Sequence, residues 1–128
     1  MPYHDQPPPK PTYTDQQVAA AKANVCAAVG KFDRAVSVGN ALPRGGDTLV
    51  AAINSRQIFA IFSRHLFATL AEDPATPADL TAAVREEASS LEEVVIAYQD
   101  GFSNSDPELR PVLNASCAAA DTIRQLCK

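Results

Sequence analysis

The chain contains no tryptophan and one methionine, so a methionine-lined groove of the promiscuous kind is not expected. It also lacks any run close to the roughly 18 apolar residues that span a bilayer. The opening MPYHDQPPPK has no apolar middle region and therefore does not read as a signal peptide. If the protein is exported or anchored, the membrane segment is expected upstream of Met1. Clustered Lys and Arg are missing too: the formal charge is −4, with both signs interleaved, which excludes a nucleic-acid surface. Gly45-Gly46 lacks the Lys-Ser/Thr of a phosphate loop, and no Glu-x-x-His or His-x-x-x-His pair occurs.

What is present is one domain's worth of chain. The 128 residues are 46% apolar and 20% charged, a globular balance with room for one continuous core. Much of the apolar share is alanine, which predicts a thin core with closely approaching helices. Residues 1–13 hold Pro7, Pro8 and Pro9 in succession, favouring an extended tail that acts as a stiff spacer of about 40 Å. Residues 14–128 read as four amphipathic helices, at about 14–38, 47–72, 76–101 and 105–127.

Thr14 and Gln17 have the spacing of a capping box. Val18, Ala21, Val25, Ala28, Phe32 and Ala35 then recur every three or four residues, one buried stripe. In the second helix, capped by Asp47, Val50, Ile58, Ile61, Phe62, Leu66 and Leu70 share a face, with His65 at its centre. Leu49, Ile53 and Phe67 fall on nearly the opposite side among Arg56, Ser63 and Arg64; a helix apolar on two sides is expected to be the most buried, or to form an interface. Thr76-Pro77-Ala78-Asp79 restarts the chain as cap, first helical proline and N-terminal acid. The third stripe is Leu80, Val84, Leu91, Val95, Tyr98 and Phe102, with Glu86, Glu92 and Glu93 opposite and Glu87 on its flank. The fourth, opening at Ser105 or Asp106, is Leu109, Leu113, Ser116, Ala120, Ile123 and Cys127, with Pro111 imposing a kink or a late start. Such stripes are hidden most simply in an all-α, up-down-up-down four-helix bundle.

Chemistry is sparse. His65 could serve as a general base or ligand, and Tyr98 could bind haem, but each reads more simply as a core side chain. The paired glutamates read as a solvated face. No catalytic residue, metal site or cofactor is predicted. The stripe of Leu49, Ile53, Arg56, Arg64 and Phe67 is the candidate protein-binding or self-association surface. A lipid or haem carrier using His65 and Tyr98 is the alternative.

Three cysteines, Cys26, Cys117 and Cys127, form no zinc-type pair with a nearby histidine. In an antiparallel bundle the first and last helices are neighbours. Matching helix ends sets Cys26 level with Cys117, whereas Cys127 lies on the core stripe. A Cys26–Cys127 bond would close about a hundred residues, a stabilisation of at most about 4–5 kcal/mol in the chain-entropy model.

The runs Thr14-Asp15-Gln16-Gln17-Val18-Ala19-Ala20-Ala21-Lys22 with Val25-Cys26, Ser103-Asn104-Ser105-Asp106-Pro107-Glu108-Leu109, and Leu126-Cys127-Lys128 carry a resemblance. The layout from Thr14 to Lys128 resembles the extracytoplasmic helical domain of actinobacterial, chiefly mycobacterial, alanine- and proline-rich single-pass membrane proteins of unknown function. The resemblance implies a membrane helix before the domain, an oxidising location and a Cys26–Cys127 bond, with Cys117 outside the two-cysteine pattern.

Overall fold

The computed structural model describes the backbone of residues 11–41 and 48–128, and the side chains of all of these except 38–41, 48–52 and 54. Four α-helices follow one another: α1 (Asp15–Ala41), α2 (Thr48–Glu72), α3 (Ala78–Gln99) and α4 (Arg110–Leu126), the last preceded by a 3-10 turn, Pro107–Leu109. Among the described residues there is no strand. The chain is an all-α four-helix bundle. The proline run and the Asp47 cap lie outside the described residues.

Local signals set most of the boundaries. Thr14 N donates to Gln17 Oε1 at 2.9 Å and Gln17 N to Thr14 Oγ1 at 3.1 Å, the reciprocal box expected of that spacing. Thr76 does not cap α3. Its hydroxyl donates back to the Asp73 carbonyl at 2.6 Å and closes the preceding turn, while Pro77 occupies the cap position and Ala78 begins the helix. At the other end of α3, Gly101 takes φ +93°. From there Gly101 N reaches Tyr98 O and Phe102 N reaches Ala97 O, the left-handed glycine stop that satisfies the last carbonyls. The fourth helix starts late, as Pro111 requires: Asp106 precedes the 3-10 turn and the α-helix opens only at Arg110.

The buried seams follow a strict four–three alternation, the 3.5-residue repeat of a left-handed bundle. On α3 the seam is Leu80, Val84, Glu87, Leu91 and Val94, rather than a stripe drifting to Val95, Tyr98 and Phe102. Val95 and Tyr98 are half-buried and Phe102 is exposed. On α2 the seam is Phe59, Ser63, Leu66 and Leu70. Ser63 was expected to face away and instead is buried, its hydroxyl donating to the Ala88 carbonyl of α3 at 2.7 Å. A small side chain with its one polar group satisfied lets two helices approach where a larger apolar residue would hold them apart. Ile61, expected inside, is therefore 63% exposed, and His65 turns outward beside it.

Helix α3, not α2, holds the most buried side chains among those described. It packs along both α2 and α4, and α1 packs on α2. Val25, Leu66, Leu80, Val84, Val94, Leu109 and Ile123 are essentially fully enclosed, each worth about 1.5–3 kcal/mol of transfer free energy. The backbones of α1 and α4 come close at the Cys26–Cys127 disulfide, where the Cα atoms are 5.8 Å apart, and otherwise lie apart. The end-matching expectation for Cys117 fails because the helices are unequal: α1 has 27 residues and α4 has 17. The first turns of α1 overhang the end of α4, and Asn24 on α1 donates to Asp73 in the α2–α3 turn at 3.2 Å.

Candidate functional site

Where α1 and α4 diverge, a cleft of about 600 Å³ opens between them with α3 as its floor. Phe32 and Val36 of α1 and Phe59 of α2 form one apolar wall; Leu91 and Val94 of α3 and Leu113 of α4 form the other side. Phe32 is braced by Phe62, ring centroids 5.3 Å apart, and by Phe59 at 6.3 Å. The volume lies within the ordinary range of small-molecule pockets.

The floor carries one buried acid. Glu87 sits on the α3 seam between Val84 and Leu91, where its neighbours in the four–three pattern are all apolar, and only 3% of it is exposed. Its Oε1 accepts a hydrogen bond from Ser116 Oγ of α4 at 3.0 Å. Its Oε2 is buried with no hydrogen-bond partner among the described residues. Burial pushes the carboxyl up from the ordinary 4.5 to about 7; the Ser116 hydrogen bond pulls it down, nearby Asp33 pushes it up, and Arg124 pulls it down. An oxygen left unpaired in such a place costs about 1–3 kcal/mol, and native interiors carry few of them.

The remaining polar groups stand nearer the mouth. Asp33 of α1 is half-buried, while Asp121 and Arg124 of α4 are exposed and pair with each other at 2.7 Å. Cys117 lines the same cleft as an exposed free thiol. No histidine lines the cleft. Ser116 faces a carboxylate rather than an imidazole, so the arrangement offers a hydrogen-bonding and charge-bearing floor beneath apolar walls.

The residues singled out from sequence are distributed otherwise. Cys26 and Cys127 are bonded, S–S 2.06 Å, closing 101 positions of chain. The side chain of Leu49 lies outside the described residues. Ile53 and Arg64 are exposed. Arg56 is committed to Tyr98, its guanidinium 5.6 Å from the ring centroid, and Phe67 packs half-buried against the core. The expected interface stripe is thus not one continuous free surface. His65 is exposed, not buried, and meets Phe62 edge-on at 6.0 Å. Tyr98 is half-buried and donates its hydroxyl to Asn104 Oδ1; burial raises its pKa, while Asn104 and Arg56 lower it. Arg56 marks the level of Tyr98 on α2, roughly 14 Å along that helix from His65 at 1.5 Å per residue. The two do not share a site, and neither lines the cleft.

Glu87 is the residue that sequence reasoning missed. The signal was the alternation itself: a glutamate at the four–three position of α3 and a serine on the stripe of α4.

Among the described residues no group of three or more His, Cys, Asp or Glu side chains could hold a metal ion, and no helix is long and apolar enough to cross a membrane. No family, curated protein or solved structure matches the chain.

Proposed function

We propose that this chain is a non-enzymatic, extracytoplasmic ligand-binding domain of an envelope-associated protein, and that its working surface is the α1–α4 cleft. The observation that carries this reading is the unpartnered, buried Oε2 of Glu87 at the base of an apolar cleft. A ligand that supplies the missing partner would remove the cost this oxygen carries, and the apolar walls around it suit such a guest. The location is supported by the disulfide, since such bonds persist in oxidising compartments. The resemblance to membrane-anchored domains points the same way.

Nuclear magnetic resonance with a fragment library tests the cleft. Shifts are expected to cluster at Leu91, Val94, Leu113 and Ser116. A library that moves none of these, with an apo mass for the freshly purified protein in native mass spectrometry, removes the reading.

A second reading, a protein-docking or self-associating domain, draws on the exposed isoleucines Ile53 and Ile61 of α2 and Ile96 of α3. Light scattering before and after Ile61→Asp tests self-association: a monomer in both cases removes it.

A further inference from the structure

We infer that the α1–α4 cleft receives an amphiphile with an apolar body and a single protonated amine, the nitrogen pairing with the Glu87 carboxylate as its Oε2, closed off from solvent in the free domain, turns toward the guest. This inference rests on the ligand-binding reading above and adds the class of ligand.

The argument is one of complementarity. A purely apolar guest would satisfy the walls yet leave Oε2 without a partner, retaining the cost it already carries. An anionic head would meet Glu87 and Asp33 together. The cation lining the cleft, Arg124, is exposed and already engaged by Asp121. An ammonium group reverses both problems. It donates to the orphan oxygen in a water-poor setting, where charge-assisted hydrogen bonds are strong, and it also balances Asp33. The apolar body then lies along Val36, Leu91, Val94 and Leu113.

The groups lining the cleft with Glu87 set the pH response. Asp33 comes from α1; Ser116, Cys117, Asp121 and Arg124 come from α4; Phe59 of α2 carries no charge. Glu87 titrates near 7 in the free domain, and an ammonium favours its ionised form. Affinity should therefore rise about tenfold from pH 6 to pH 8, where the amine remains protonated.

Three matched probes decide the matter with the full chain: 4-phenylbutylamine, 4-phenylbutanol and 4-phenylbutyrate, titrated by calorimetry and by resonance shifts. The amine should bind at least tenfold tighter than the alcohol at pH 8, and the carboxylate weakest. Glu87→Gln should bring the amine down to the alcohol's affinity and abolish its pH dependence while leaving the alcohol unchanged. Asp33→Asn, remote from the floor hydrogen bond, should weaken the amine by a smaller factor. If alcohol and carboxylate bind in the cleft as well as the amine does, or if Glu87→Gln changes nothing, the amine inference falls and the binding cleft stands. If none of the three moves the resonances of Val94 or Leu113, both fall.

Discussion

Helices α1 and α4 meet in two different ways along one shared length. At one end Cys26 and Cys127 join them covalently above enclosed Val25 and Ile123. A few turns away, Phe32 and Val36 face Leu113 and Ser116 across open space, over an acid. The same pair of helices is sealed where its seam is apolar and parted where the seam of α3 turns polar. Closing over a carboxyl without a partner for each oxygen is costly, and Ser116 supplies a partner for Oε1 alone. The bundle thus places its covalent reinforcement at one end and its unmet bonding capacity at the other.

The largest effect should come from breaking the sealed end. Cys26→Ser with Cys127→Ser should lower unfolding free energy by about 4 kcal/mol, near the chain-entropy value for so long a loop, read by urea denaturation. Cys117→Ser should leave it unchanged, because that thiol is exposed and unbonded.

Relaxing the open end comes next. The folded-state pKa of Glu87 is raised from 4.5 to about 7, so its contribution is fully favourable below about 4.5 and is lost as pH climbs through 7. At 1.36 kcal/mol per pKa unit this amounts to about 3 kcal/mol. Glu87→Gln should therefore match the wild type at pH 4 and exceed it by about 3 kcal/mol at pH 8. A variant less stable than wild type at pH 8 would mean the carboxylate is better solvated than its burial indicates.

Ser116→Ala sharpens the same point in the opposite sense. Removing the hydroxyl strips Glu87 of the hydrogen bond that lowers its pKa, so the carboxyl should titrate higher still. The cost at pH 8 should be about 1–3 kcal/mol, and smaller at pH 5. Chemical shifts of the Glu87 side chain across pH would follow the change directly. The smallest effect belongs to the far end of α1, remote from both regions. Thr14→Ala should cost about 1 kcal/mol through the lost cap, with no change in ligand affinity.

The sequence announced the helices more clearly than their rotation. Apolar recurrence and stop signals placed α3 within two residues at each end, and the Thr14–Gln17 pair formed as its spacing dictates. Reading apolar bulk alone, however, turned α2 toward Ile61 and His65, because nothing in composition says that Ser63 will find the Ala88 carbonyl. Glu87 was assigned to a flank for a related reason. A straight 3.6-residue projection drifts away from a 3.5-residue seam within two or three turns, enough to move one glutamate from the edge to the centre. The cleft depends on how far two helices distant in sequence diverge, which no local pattern encodes. The pairing of Cys26 was obscured by the unequal lengths of α1 and α4, and the family resemblance pointed to the partner that the structure shows.

The overhang of α1 has a spatial consequence. Asp15 stands about 25 Å along the helix from Phe32, at 1.5 Å per residue, so the leading segment joins the rods at the stapled pole. The opening turn of α1 and the cleft beside Phe32 therefore stand at separate levels of the bundle, with the covalent link between them.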